Sequence, residues 1–174
     1  MQALTILNVS ITDVSYLARY GVKGPQASKW LASHGVATPK DANSWVQNDQ
    51  TLVMRLGGSE FLIEDQGSGK TCEKLVADTK RVDGVYKVPH ADAAYLLAGS
   101  EVLNLLSELC ALDLRESALL ENDLVMTQLA GISATVLRRK IHNETVYKLW
   151  CDGTYGEYMQ HVLDEISGEL NRGK

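Results

Sequence analysis

One arrangement of residues occurs twice in this chain, and the doubling limits its possible folds more than any other feature. The first copy runs from Arg19-Tyr20-Gly21-Val22-Lys23 into Gly24-Pro25-Gln26-Ala27-Ser28-Lys29-Trp30-Leu31, introduced by Asp13-Val14-Ser15. The second runs from Ala94-Tyr95-Leu96-Leu97-Ala98 into Gly99-Ser100-Glu101-Val102-Leu103-Asn104-Leu105-Leu106. In both, a short apolar strand meets a glycine turn and then a helical period. Each helix leads to an apolar β pattern that closes on an acid, Glu60-Phe61-Leu62-Ile63-Glu64-Asp65 and Tyr147-Lys148-Leu149-Trp150-Cys151-Asp152, and a further helix follows. The glycines are 75 positions apart and the later strands about 87, so roughly a half-chain is repeated. Two copies are too few for a solenoid, and duplicated subdomains are expected instead.

The periodicities fill in the elements. Residues 18–23 read as a strand. A helix spans Pro25 to His34, with proline at its first position and Gly35 just past its end. Ala27, Trp30 and Leu31 share one face of it. The polar stretch 36–50 reads as a loop with one helical turn at 41–46. Strands 51–56 and 60–65 form a hairpin across Gly57-Gly58, and a helix over 70–80 turns Cys72, Leu75 and Val76 inward. In the second half, strand 93–98 meets Ser100 as N-cap of a helix through Leu109. Its inward face is Val102, Leu103, Leu106, Leu109 and Cys110. One long strand is expected over 125–138, with Gly131 as a bulge or corner. The turn His142-Asn143-Glu144 leads to strand 145–151. A helix over 155–169 buries Tyr158, Val162, Leu163 and Ile166. Hairpin-paired strands alternating with helices predict an α+β fold of two similar ferredoxin-like subdomains, residues 1–84 and 85–174.

Composition excludes several classes. At 174 residues, 45% hydrophobic and 22% charged, the chain is most simply one globular domain. No apolar run approaches the roughly 18 residues of a membrane span. The N-terminus has neither a basic opening nor an apolar signal core, so a cytoplasmic protein is expected. A net charge of −5 argues against nucleic acid, and the short run Arg138-Arg139-Lys140 is too narrow a surface to reverse that. Cys72, Cys110 and Cys151 are widely spaced and show no ligand pattern, so no metal is expected.

Stretches that imitate chemistry fail on inspection. Gly67-Ser68-Gly69-Lys70-Thr71 looks like a phosphate loop, but the position that needs its first glycine is Glu64, and Glu64 and Asp65 would repel an anion. His34, His90, His142 and His161 fall in separate elements. His34 is expected to cap its helix, and His90 near Asp92 reads as a surface loop pair. Asp49 with Glu64-Asp65 has the composition of a general-base pair, yet strand ends carry such acids routinely. Trp30, Trp45 and Trp150, with the apolar helix face from Val102 to Cys110, read as core, with a docking face for a partner subunit as the alternative. No catalytic constellation emerges.

A resemblance then becomes usable. Asp13-Val14-Ser15 followed by Gly24-Pro25, Ala27, Trp30 and Leu31 resembles the opening of the T-protein (aminomethyltransferase) of the glycine cleavage system. Thr51-Leu52-Val53-Met54-Arg55-Leu56 and Glu60-Phe61-Leu62-Ile63 resemble that family's next hairpin. Tyr95-Leu96-Leu97-Ala98-Gly99 through Cys110-Ala111-Leu112-Asp113-Leu114, then Gln128-Leu129-Ala130-Gly131-Ile132-Ser133-Ala134, is more similar still to the gamma-subunit family of heterotetrameric sarcosine oxidases. That family is itself related to the folate-binding part of the T-protein. The resemblance covers nearly the whole chain and rests on the order and spacing of its motifs.

The resemblance implies a fold like the folate-binding N-terminal domain of the T-protein, and a non-catalytic role. In the oxidase family FAD, FMN, NAD and tetrahydrofolate belong to partner subunits, so this chain is expected to bind no cofactor itself. The implied partners are the larger flavoprotein subunits, alpha and beta, and a small delta subunit. The complex demethylates sarcosine oxidatively and passes the one-carbon unit to tetrahydrofolate or releases formaldehyde. Departures from the T-protein agree with this. Where that family has an acidic pair before its hairpin, this chain has Asp49 and Gln50. Its glycine-rich approach is replaced by Ser44-Trp45-Val46-Gln47-Asn48. The Lys-Gly-Cys-x-x-Gly-Gln-Glu signature of the related iron–sulfur-assembly folate proteins is absent, and the T-protein's C-terminal barrel has no counterpart in these residues. Asp49 is the one folate-binding candidate. The alternative is a stand-alone folate-binding protein or small aminomethyltransferase with Asp49 in a central pocket.

Overall fold

A computed structural model describes residues 8–173. In chain order they form β1 (Ser10–Asp13), β2 (Arg19–Lys23), α1 (Ala27–Ser33), β3 (Ser44–Asn48), β4 (Thr51–Gly57) and β5 (Glu60–Asp65). Then come α2 (Thr71–Ala77), β6 (Tyr86–Pro89), β7 (Ala93–Ala98), α3 (Val102–Leu109), β8 (Leu124–Leu129), β9 (Ile132–Ile141), β10 (Glu144–Cys151) and α4 (Gly156–Arg172). The fold is α+β, with two five-stranded antiparallel sheets and helices on them. The chain divides into two compact units. One takes Tyr16–Ala91 and Asn122–Leu124; the other takes the residues through Ser15, Asp92–Glu121 and those from Val125 on.

The first unit's sheet has the order β3-β4-β5-β2-β6. Alternation along its strands sends Tyr20, Val22, Val53, Phe61 and Ile63 to the face that meets Ala27, Trp30 and Leu31 of α1 and Cys72 and Leu75 of α2. Each large apolar side chain buried there contributes about 1.5–3 kcal/mol. The second unit's sheet has the order β1-β7-β10-β9-β8. Its core joins Tyr95, Leu97, Val136, Tyr147 and Leu149 of the sheet to Val102, Leu105, Leu106 and Leu109 of α3 and Met159 and Leu163 of α4.

The two sheets correspond strand for strand when read as β6-β2-β5-β4-β3 and β1-β7-β10-β9-β8. The correspondence extends to the turns. Gly24 and Gly99, which follow β2 and β7, both sit at φ +118°. Gln26 N–H donates to the Gly84 carbonyl and Glu101 N–H to the Asn8 carbonyl, each at 3.0 Å. A Cβ on Gly24 would strike the Gly84 carbonyl, and one on Gly99 the Asn8 carbonyl. The strand that precedes each pattern in sequence is therefore laid on the other pattern's sheet: β1 pairs with β7 and β6 with β2. That exchange is why the units do not part at 84/85 as expected. Residues 86–89 complete the first unit, and the strand at 10–13 belongs with the second.

Other local expectations are corrected. Residues 44–48 are not a helical turn but strand β3, because Trp45 and Val46 pair with Met54 and Val53 of β4. The long strand at 125–138 is two strands, since Ala130 and Gly131 both take positive φ (49° and 81°) and reverse the chain. Ser100 does not cap α3. The glycine turn delays the helix, and Glu101 is the cap residue, its side chain making no capping bond to the helix backbone. Val76 is 57% exposed and Leu103 37%, while Leu105 takes the inward place. Tyr158 is also half-exposed, its hydroxyl donating to the Ala130 carbonyl at 3.3 Å, and Met159 is buried instead.

Candidate functional site

Asp49 and Gln50 form the two-residue turn between β3 and β4. Asp49 takes φ +48°, a left-handed conformation that aspartate tolerates better than most residues. Its carbonyl accepts a 2.7 Å hydrogen bond from Gln47 Nε2. The side chain lines a depression of about 220 Å³ with Gly35, Asn48, Gln50, Thr51, Gly69, Lys70 and Thr71, and no second carboxylate lines it.

The two other acids considered with Asp49 are taken up by the fold. Glu64 is fully buried, paired at 2.8 Å with Arg19 Nε, and its other oxygen accepts from Gln66 Nε2 at 3.0 Å. Asp65 caps α2: its oxygens accept from Thr71 N–H at 3.1 Å and Cys72 N–H at 2.8 Å, and Thr51 Oγ1 donates at 3.1 Å. A carboxylate thus already occupies the helix end that a phosphate loop would offer to its ligand. Gly69 has room for no Cβ, which would meet the Gln50 carbonyl at 2.7 Å and Asp65 Oδ1 at 2.9 Å. The Gly67–Thr71 stretch is glycine-rich because it wraps this buried cap.

The remaining candidates are also structural. His34 is the C-cap residue of α1; its Nδ1 lies 2.9 Å from the Trp30 carbonyl and its Nε2 3.0 Å from Asp78. The His90 ring lies against Gly21, whose added Cβ would come within 2.5 Å of it. Burial pushes the Cys72 thiol up to about 12 and the Cys151 thiol to about 11, which leaves neither a nucleophile. Trp30, Trp45 and Trp150 are all buried. Among the described residues no three metal-ligating side chains converge, and no helix is long and apolar enough to cross a membrane.

A larger cavity, about 740 Å³, lies in the second unit. Ala98, Val102, Leu103 and Tyr147 give it an apolar floor, Ser10, Ser100 and Thr145 add hydroxyls, and Glu116 and Glu144 add carboxylates. The sequence does not single it out, because its walls come from β1, the β7–α3 turn, the 110–123 connection and β10. The one usable signal is the doubled glycine turn, which marks an end of both sheets.

No protein-family model matches the chain, and no curated protein does. Solved structures do. A chain of heterotetrameric sarcosine oxidase from Corynebacterium sp. U-96, determined in complex with pyrrole 2-carboxylate, is 19% identical with a TM-score of 0.79, over 95% of this chain and 87% of that one. Glycine cleavage system aminomethyltransferase T from Bartonella henselae is 14% identical with a TM-score of 0.63, over 92% of this chain and 46% of that one. At these identities the likeness is one of fold. The α+β fold is like that of an oxidase chain and of part of an aminomethyltransferase.

Proposed function

We propose that this chain is a non-catalytic, gamma-type subunit of a cytoplasmic heterotetrameric sarcosine oxidase, built from two ferredoxin-like copies of one ancestral half. The observation that carries the reading is the extent of likeness. It runs through nearly all of both chains for the oxidase, and through under half of the aminomethyltransferase. The depression at Asp49 supports it: about 220 Å³ is below the roughly 300–1,000 Å³ of sites that enclose small molecules. In this reading FAD, FMN, NAD and tetrahydrofolate are bound by the larger alpha and beta partners, and the chain contributes surface rather than chemistry. Sarcosine is demethylated elsewhere in the complex.

The test is to purify the tagged chain from its own cells and record the visible spectrum of what accompanies it. The expected result is a yellow complex with larger subunits whose flavin bands bleach when sarcosine is added. A colourless single chain, isolated while the larger subunits are expressed, overturns the reading. A stand-alone folate-binding protein or aminomethyltransferase then takes its place if tetrahydrofolate binds the isolated chain and Asp49→Asn abolishes that binding.

A further inference from the structure

Sheet edges in this chain are closed by different devices. In the first unit β3 is covered by main chain: Trp45 N–H donates to the Asn122 carbonyl at 2.8 Å, and Leu124 N–H donates to the Asn43 carbonyl at 2.9 Å. β6, at the other edge of that sheet, ends on Pro89, which has no N–H to offer an added strand.

In the second unit β1 is an edge strand, and its ladder shows which backbone groups turn outward. Val14 N–H donates to the Ala94 carbonyl at 2.9 Å, continuing the register of β1 on β7. Amides alternate in direction along an antiparallel strand. Ser10 and Thr12 therefore face β7 like Val14, while Val9, Ile11 and Asp13 turn theirs away from it. At Val9 the last turn of α4 meets this outward edge. Val9 N–H donates to Asn171 Oδ1, and Asn171 Nδ2 donates back to the Val9 carbonyl, both at 2.9 Å. A carboxamide carries an acceptor and donors side by side, as a peptide group does. It fills the place that one residue of a neighbouring strand would take. Asn8 Nδ2 adds a 3.1 Å bond to the Leu170 carbonyl, one of the end carbonyls that a helix cannot satisfy itself.

We propose that Asn171 is an edge stop: its carboxamide occupies the Val9 position where a second copy of this chain would pair β1 against β1. An open strand edge is a template for another chain, and an antiparallel edge is complementary to its own copy about a two-fold axis. With the Val9 pair taken, the outward run is cut to Ile11 and Asp13, shorter than ordinary strand pairings. The helix end thus keeps the second sheet from growing across a molecular boundary.

The test compares the full chain with Asn171→Ala by sedimentation velocity over a range of concentrations and by residue-resolved amide exchange. The wild-type chain should leave the Ile11 and Asp13 amides unprotected throughout. Asn171→Ala should double in sedimenting mass as concentration rises, and exchange at those two amides should slow about tenfold, the effect of roughly one added hydrogen bond. Asn171→Asp keeps the acceptor for Val9 N–H and loses the donor, so it should associate to a lesser degree. Adding Asp13→Pro to Asn171→Ala removes an outward N–H and should return the mass to that of one chain. A monomeric Asn171→Ala with unchanged exchange at Ile11 and Asp13 overturns the proposal. So does association that Asp13→Pro leaves intact, or protection of the two amides in the wild-type chain as concentration rises. If Asn171→Ala does not fold, Asn171→Asp decides by the same readouts. The measurement involves no partner subunit and stands whether or not the oxidase reading holds.

Discussion

Arg19 and Glu64 face each other across β2 and β5 with both side chains almost completely out of solvent. Removing one member strands the other's charge, which costs about 3–5 kcal/mol. Glu64→Gln and Arg19→Met should each lower the unfolding free energy from urea melts by that amount, while the double variant should recover much of it. A cycle showing full additivity would deny the pairing. The buried thiols give a pH prediction. Cys72 is raised to about 12 and Cys151 to about 11 by burial first of all. Above the ordinary thiol range near pH 9 the unfolded chain releases protons that the folded chain retains. Stability must therefore fall as pH rises from about 9 toward 12. At pH 10 the share from Cys72 alone is about 1.4 kcal/mol. Urea melts at pH 8 and pH 10 should show the loss, and Cys72→Ala should reduce the difference between them.

Turns set the registers of these sheets, and they are where single substitutions should act most sharply. Gly24→Ala and Gly99→Ala put a side chain at φ +118° against a carbonyl oxygen. The backbone conformation alone costs about 1–3 kcal/mol, and the collision adds to it. Both variants should be damaging in thermal melts, since each turn sets its glycine against a carbonyl at the same φ. Ala130 has the opposite sign. It stands at φ +49° before Gly131, a place better filled by asparagine in a two-residue hairpin. Ala130→Asn should raise stability by about 0.5–1 kcal/mol; a lower melting temperature would contradict the turn. That alanine also explains what the sequence hides. Strands β2, β5 and β7 and helix α1 were legible because strong apolar periods end at glycine or proline. The β8–β9 reversal was not, because Ala130 carries no turn signal and the apolar alternation continues through it. β3 was obscured by the polar residues around Trp45. Asp49 was legible as a loop acid, but its role in shaping a hairpin turn depends on a φ value that no residue pattern states. The 740 Å³ cavity was out of reach altogether, because its walls come from four separate segments.

At the scale of the molecule, the exchanged strands β1 and β6 decide which pieces can fold. A fragment cut at the half-way point of the sequence, 85–174, lacks the strand that pairs along β7 from Asp13↔Tyr95 to Ser10↔Ala98. It also carries β6, whose partner β2 is absent from it. It should be poorly ordered by amide NMR, and a synthetic peptide of residues 8–15 should order it. The fragment 16–91 retains β2 through β6 and should show dispersed resonances on its own. Ordered 85–174 without the peptide would contradict the pairing.

The placement of β1 has a further consequence during synthesis. Ser10–Asp13 leaves the ribosome well before its partner Ala93–Ala98, which follows some 80 residues later. At about 5–20 residues per second, that delay is roughly 4–16 s. The unit from Tyr16 to Ala91 can close its sheet within that interval, while the opening strand waits with its backbone unpaired. The second sheet is thus begun by β1, made ahead of the whole first sheet, and completed only when β10 arrives.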